Sequence, residues 1–266
     1  MKYKLIAIDL DDTLLNDDLE ISQGNIEAIQ YAHEKGVKVV ICTGRATGGI
    51  QRYLKQIAIY DAEDYCITYN GARILTISGE IIFEKLVKKQ ILEKLVKLAR
   101  KYDTAIQLYD EEDVIIEEYS EIMKEYEINY GKRLKVIENL DHVEESLKVL
   151  YNSMDIEKLE QIKLDIENEI GDEVFVFFSK DNYLEVLTRE ANKGIALAFL
   201  ANELNIKQEE VIAIGDSGND SFMIQYAGVG AVMKNGRKEL KEIADYVTSK
   251  NNNENGVAET IYKFIG

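Results

Sequence analysis

The stretch IAIDLDDTLL, residues 6–15, runs from Ile6 and Ile8 directly into Asp9, Asp11 and Asp12. With Tyr3 and Leu5 before it, the apolar run is continuous rather than alternating, as expected of a strand covered on both faces. Strands of that kind belong to parallel sheets flanked by helices. In open parallel sheets, ligands gather beyond the carboxyl ends of the strands. Three acids placed at such an end repel one another unless a cation sits among them. The stretch thus predicts both an α/β fold and a site.

Outward from it, strand and helix signals alternate. ISQGNIEAIQYAHEKG (21–36) has helical spacing with Gly36 as its stop, VKVVICTG (37–44) reads as a strand, GGIQRYLKQIAI (48–59) as a helix and YCITYNG (65–71) as a strand. ARILTISGEIIFE (72–84) reads as two short strands about the turn pair Ser78-Gly79. The rhythm then changes. KKQILEKLVKLARKYD (88–103) is an amphipathic helix, and TAIQLY (104–109) and DVIIEEY (113–119) are neighbouring strands. A helix is expected at 120–130, a strand near 147–151, a helix at 155–170, and strands at EVFVFF (173–178) and YLEVL (183–187). From Asn192 the alternation resumes, with a helix in NKGIALAFLANELN, a strand in VIAIGD, a helix in DSFMIQYAG and a strand in VGAVM. The expected architecture is an α/β doubly wound, Rossmann-like core made of residues 1–84 and 188–266, with an inserted α+β cap domain at 85–187.

Composition sets the class. The 266 residues are 46 % apolar and 30 % charged, as in an ordinary globular protein. The net charge of −17 argues against a nucleic-acid surface, because phosphate backbones need clustered Lys and Arg. No apolar run approaches the roughly 20 residues that span a bilayer. The segment after Met1 is too short for a secretory core, so a cytoplasmic location and no membrane partner are expected. A monomer is the default. Cys42 and Cys66 lack CxxC spacing and read as small buried thiols. His33 and His142 read as surface residues, the many tyrosines as half-buried packing, EEDVIIEEYSEIMKEYE as a solvated acidic face, and NNNENG as a surface turn.

Three expected strands end in polar clusters: Asp9-Leu10-Asp11-Asp12-Thr13, Thr43-Gly44-Arg45, and Gly215-Asp216-Ser217-Gly218-Asn219-Asp220. Lys193 opens a helix. Each has a bland reading. The first could be a capped turn, the second ordinary turn chemistry, the third a capped loop, and Lys193 a solvated lysine. Together they make chemical sense. Asp9 and Asp216 suit Mg2+, which takes hard oxygen ligands and binds through one or two carboxylates plus a phosphate. The Thr43 hydroxyl, backbone N–H groups and the Lys193 ammonium suit the remaining phosphate oxygens.

DLDDT, TGR, the Lys of NKG and GDSGND resemble the four ordered motifs of the haloacid dehalogenase superfamily. GDSGND…M, YNGA and NGVAETI are similar to its Cof-type phosphatase subfamily, in which a large α+β cap lies between the second and third motifs. The resemblance runs over nearly the whole chain. It implies that Asp9 is the nucleophile and that Asp11 protonates the leaving alcohol and later deprotonates water. It also implies that Asp9, the Asp11 carbonyl and Asp216 ligate Mg2+. Leu10, Thr43, Gly44, Lys193 and Asn219 would hold the phosphoryl oxygens, Asp220 would orient Lys193 or metal-bound water, and Arg45 would brace the loop. Two positions depart from the common pattern: Asp12, where Gly is frequent, and Ala46, where Pro is frequent. The expected activity is Mg-dependent hydrolysis of small phosphorylated metabolites such as sugar phosphates. The alternatives are a sugar phosphomutase and a non-catalytic sensor of such metabolites. A signalling receiver module would share the Asp, Thr and Lys but not Asp11, the inserted cap or the length.

Overall fold

The computed structural model describes residues 2–57, 64–111, 113–119 and 133–266. The strands in chain order are β1 Leu5–Ile8, β2 Lys38–Cys42, β3 Tyr65–Thr68, β4 Arg73–Thr76, β5 Ile81–Glu84, β6 Val87–Lys88, β7 Ala105–Tyr109 and β8 Asp113–Ile116. They continue as β9 Arg133–Val136, β10 Glu145–Ser146, β11 Val149–Asn152, β12 Val174–Lys180, β13 Tyr183–Thr188, β14 Val211–Gly215, β15 Val229–Val232 and β16 Tyr246–Val247. The described α-helices are α1 Gln23–Glu34, α2 Gln51–Gln56, α3 Lys89–Tyr102, α4 Ile156–Ile170, α5 Lys193–Glu203, α6 Ser221–Tyr226, α7 Lys238–Lys241 and α8 Gly256–Ile265. The chain divides into two compact units, one of Met1–Gly44, Ile50–Phe83 and Lys193–Gly266, the other of Arg45–Gly49 and Glu84–Asn192.

The first unit is built on an eight-stranded sheet of order β16-β15-β14-β1-β2-β3-β4-β5. From β16 through β3 neighbouring strands pair in parallel, and β4 returns antiparallel to β3. The unbroken apolar sequence of β1 is explained by burial on both sides. Ile6 and Ile8 pack into a cluster with Ala28, Ile29 and Ala32 of α1 and Val257 and Ile261 of α8. Leu5 and Ala7 point the other way, toward Ala196, Leu197 and Leu200 of α5 and Met223 and Ile224 of α6. Ser22 caps α1 by accepting from the Asn25 N–H, and Gly36, at φ +76°, supplies the left-handed turn that ends it.

The second unit carries a six-stranded sheet of order β12-β13-β11-β7-β8-β9, antiparallel except for the parallel pair β8–β9. One face is covered by α3 and α4. Leu92, Leu95 and Val96 meet Leu159, Ile162 and Ile166 over Leu108, Val149, Tyr151 and Val186. Asp155 caps α4 by accepting from the Lys158 N–H. The two-residue pair β6–β10 and the strand β9 escape the sequence reading, because two to four residues carry too little period to register. The helix expected at 120–130 lies outside the described residues.

Several side-chain expectations need correcting. His33 is half-buried rather than on the surface, and its Nε2 is shielded. Tyr53, Tyr69, Tyr109 and Tyr151 are fully buried rather than half-buried. Within the acidic run, Asp113 is 3 % exposed and accepts from Arg133 at 2.8 and 3.0 Å, and Val114, Ile115 and Ile116 are buried, so this part is not a solvated face. Cys42 and Cys66 are free, buried thiols, as expected.

Candidate active site

In the first unit β14, β1 and β2 are adjacent and parallel, so their carboxyl ends lie side by side. Asp216 follows β14, Asp9 follows β1 and Thr43 follows β2. The Asp9 N–H continues the ladder by donating to the Ile214 carbonyl at 2.9 Å, and the Thr43 N–H donates to Ile67 at 2.9 Å. The polar side chains are therefore fixed by the sheet itself.

Lys193 is the first residue of α5 and is 0 % exposed. Its ammonium donates to Asp9 Oδ1 at 2.5 Å and to Asp220 Oδ1 at 2.6 Å. Burial on its own would lower the Lys193 pKa. The carboxylates of Asp220 and Asp9 outweigh that, raise it, and hold the ammonium charged. The other oxygen of Asp220 accepts from the N–H groups of Asp216 and Ser217, at 2.9 and 3.0 Å. The fit requires glycine at 215, where a Cβ would lie 2.5 Å from Asp220 Cγ.

Oxygens of Asp9, Asp216 and Asp220 all lie within 4.8 Å of one another. Both Asp220 oxygens are engaged by Lys193 and by backbone N–H groups, which makes it a brace. Asp9 and Asp216 are thereby the carboxylates best placed to receive a cation. Burial, then Asp220, raise the Asp9 pKa well above its ordinary value, with Lys193 opposing. Burial, then Asp220, push Asp216 up to about 7, against a 2.8 Å hydrogen bond donated by the Thr13 hydroxyl. Three buried carboxylates thus face one ammonium, a deficit that a dication would balance. Hard oxygen donors of this kind fit Mg2+.

Asp11 and the Leu10 amide belong to the turn Leu10–Leu14, which the Leu15 N–H closes by donating to the Leu10 carbonyl at 2.9 Å. Asp11 is extended, at φ −74° and ψ 134°, and half-buried, whereas Asp12 is left-handed at φ 57°. Thr43 is fully buried and Gly44 half-buried. Arg45, 5 % exposed, groups with the second unit.

Asn70 enters the site without having been singled out. Its N–H donates to the Thr43 carbonyl at 2.9 Å, and its Oδ1 accepts from Asn219 Nδ2 at 2.9 Å. Ser217 Oγ in turn donates to Asn219 Oδ1 at 2.5 Å. Asn70 is 1 % exposed and left-handed at φ 56°, so one amide ties the Thr43 loop to the Asn219 loop. In the sequence YNG closes the expected strand YCITYNG and enters otherwise through the resemblance of YNGA, and neither names a partner for Asn70.

Against known proteins, the model of the haloacid dehalogenase-like hydrolases matches residues 6–261. A 5-amino-6-(5-phospho-D-ribitylamino)uracil phosphatase of Bacillus subtilis, YwtE, is 34 % identical over 98 % of this chain and 98 % of its own. A second Bacillus subtilis phosphatase of the same name, YcsE, is 32 % identical over 98 % of this chain and 96 % of its own. Among solved structures, a haloacid dehalogenase-like hydrolase from Bacteroides thetaiotaomicron is 30 % identical, covers 98 % of this chain and 99 % of its own, and superposes with a TM-score of 0.86.

Proposed function

The chain belongs to the haloacid dehalogenase-like hydrolase family, and we propose that it is a divalent-metal-dependent phosphatase of small phosphorylated metabolites, with Asp9 as nucleophile. The observation that carries this reading is the buried cluster in which Asp9 shares Lys193 with Asp220 beside Asp216. Such a cluster is electrostatically incomplete without a cation, and it offers a carboxylate nucleophile at a strand end.

Asp9 attacks phosphorus with a carboxylate oxygen, and the bond from phosphorus to the ester oxygen breaks. Asp11 gives its proton to the departing alcohol. It then takes a proton from water, which attacks the aspartyl phosphate and returns Asp9 and inorganic phosphate. The Lys193 ammonium, the Thr43 hydroxyl, the Gly44 and Leu10 amides and the Asn219 amide hold the phosphoryl oxygens as charge spreads over them. Asp220 keeps Lys193 aimed. Mg2+, held by Asp9, Asp216 and the Asp11 carbonyl, would supply charge neutralisation at those oxygens. Arg45 is assigned a bracing role in the Thr43 loop.

The two relatives named for a phosphorylated ribitylaminouracil make phosphorylated polyols and sugars the first compounds to test. A monomer working in the cytoplasm is part of the same reading. Among the described residues no helix is long and apolar enough to cross a membrane.

The test is phosphate release across sugar phosphates, polyol phosphates, nucleotides and flavin mononucleotide, with Mg2+ and with chelator. Asp9→Asn is expected to lower kcat on the order of a thousandfold or more while remaining folded. Turnover that survives Asp9→Asn overturns the mechanism. An isomer in place of free phosphate would identify a mutase, and ligand binding without turnover a sensor.

A further inference from the structure

The turn that carries Asp11 is held from outside by two asparagines that belong to neither the expected motifs nor the site cluster. Asn235 Nδ2 donates to the Asp12 carbonyl at 2.7 Å. The orientation of that amide is set in turn, because Asn235 Oδ1 accepts from the Asn252 N–H at 3.2 Å. With Oδ1 committed to Asn252, the amino group is the end that faces Asp12. Asn252 is 4 % exposed, and its own amide donates to the Leu15 carbonyl and to Asp17 Oδ1, both at 3.1 Å. The Asp17 N–H donates back to Asn253 Oδ1 at 3.1 Å. The NNNENG segment is therefore a structural tie and not the plain surface turn expected of it.

What the tie holds is a backbone that would otherwise relax. Asp12 is left-handed at φ 57°, a conformation uncommon outside glycine even though Asp and Asn tolerate it best. Such a residue persists where its surroundings over-determine it. Three of the hydrogen bonds that hold the turn flank Asp11. The Asp9 N–H is bound to Ile214, the Thr13 hydroxyl to Asp216, and the Asp12 carbonyl to Asn235. The first two act through residues of the cluster itself. The third acts on the Asp12–Thr13 peptide, one residue past Asp11, and its donor is a side chain outside the cluster.

We propose that Asn235, oriented by Asn252, is a positioning residue for proton transfer by Asp11: it holds the Asp12 peptide, so that the Asp11 carboxyl stays aimed at the leaving-group oxygen. The proposal rests on the phosphatase reading above. It predicts a selective defect. Loss of the clamp leaves the Lys193 pairs with Asp9 and Asp220 and the Thr13–Asp216 bond to hold the cluster, and it loosens the turn at Asp12, so the reaction suffers mainly in proportion to its need for a proton.

The experiment measures kcat/KM, as phosphate released with Mg2+, on two esters. p-Nitrophenyl phosphate expels a phenolate that needs little protonation, and glycerol phosphate expels an alkoxide that needs it fully. Asn235→Ala is expected to cost about tenfold on glycerol phosphate, since small misplacements of a catalytic group carry losses of that order or more. On p-nitrophenyl phosphate it is expected to cost less than about threefold. Asn235→Asp, which keeps the size and the acceptor for Asn252 but faces Asp12 with an oxygen, should reproduce that pattern. In an Asp11→Ala background Asn235→Ala should have no further effect on either ester. Asn235 is exposed and its side chain fills no core position, so folding is expected to survive; circular dichroism checks it.

Equal losses on both esters, no loss on either, or an undiminished loss in the Asp11→Ala background would each overturn the proposal. Failure of the parent reading looks different. Turnover retained by Asp9→Asn, or an Asp11→Ala variant with no preference for the better leaving group, strikes the mechanism itself. With Asp9→Asn inactive and Asp11→Ala selective, a uniform Asn235→Ala rejects the clamp alone.

Discussion

Lys193 is an ammonium with no exposed surface, and its two carboxylate partners are what make that burial tolerable. Lys193→Met should therefore do more than remove the phosphate contact proposed for it. It leaves Asp9 and Asp220 buried without their cation, which typically costs about 3–5 kcal/mol. Denaturant unfolding would check this, and a variant as stable as the parent would contradict it. Asp216 allows a test with pH. Its carboxyl is pushed up to about 7, first by burial and next by Asp220. Between the ordinary carboxylate range and that value, the folded cation-free protein keeps a proton that the unfolded chain has already released. Stability contributed by this group therefore falls as pH rises through that window. A bound dication replaces the proton and removes the penalty. Added Mg2+ should raise the thermal midpoint strongly at pH 8 and little at pH 5. An equal shift at both values would sink the assignment of Asp9 and Asp216 as its ligands.

At the scale of elements, the site is a set of strand ends bridged by short amide links. Gly215 ends β14 with Asp220 Cγ only 2.5 Å from where a Cβ would stand. Gly215→Ala must displace the carboxylate that braces Lys193, and overpacking of that kind typically costs about 1–3 kcal/mol. Activity is expected to fall with stability, which thermal melts and phosphate release would measure together. Asn70 joins the loop after β2 to the loop before α6. Asn70→Gly keeps the left-handed backbone and removes the side-chain link to Asn219. It should therefore raise KM or lower kcat while unfolding close to the parent, and unchanged kinetics would show that the link between Thr43 and Asn219 is idle. Lys193, which opens α5, was legible only in company with Asp9, Thr43 and Asp216, each of which sits directly after an apolar strand, where position and chemistry coincide. Asn70, Asn235 and Asn252 were not. Their bonds to Asn219, Asp12 and Leu15 span 149, 223 and 237 residues, and no local pattern encodes such a partner.

For the molecule as a whole, each unit keeps its own core, and the second adds a buried ion pair to its sheet. Lys148 and Glu185 are 4 % and 6 % exposed at the side chain and 3.0 Å apart. Lys148→Met alone is expected to cost about 3–5 kcal/mol, and the double variant with Glu185→Leu to recover most of that loss. A double-mutant cycle by denaturant unfolding decides, and simple additivity would contradict it. The amino-acid order by itself determined that strands alternate with helices at both ends of the chain, and that paired strands lie between them. It also determined that acids and a threonine stand where parallel strands end, and that a lysine opens a helix. Period and burial are local properties, and a continuous apolar run such as Leu5–Ile8 carries both. Only the tertiary structure decided that Asp220 braces Lys193 and that Asp12 is left-handed under the hold of Asn235. It alone showed that NNNENG grips the turn beside Asp9. Those facts depend on which distant backbone group comes within about 3 Å of which amide, and that proximity exists only once the sheet has brought the two ends of the chain together.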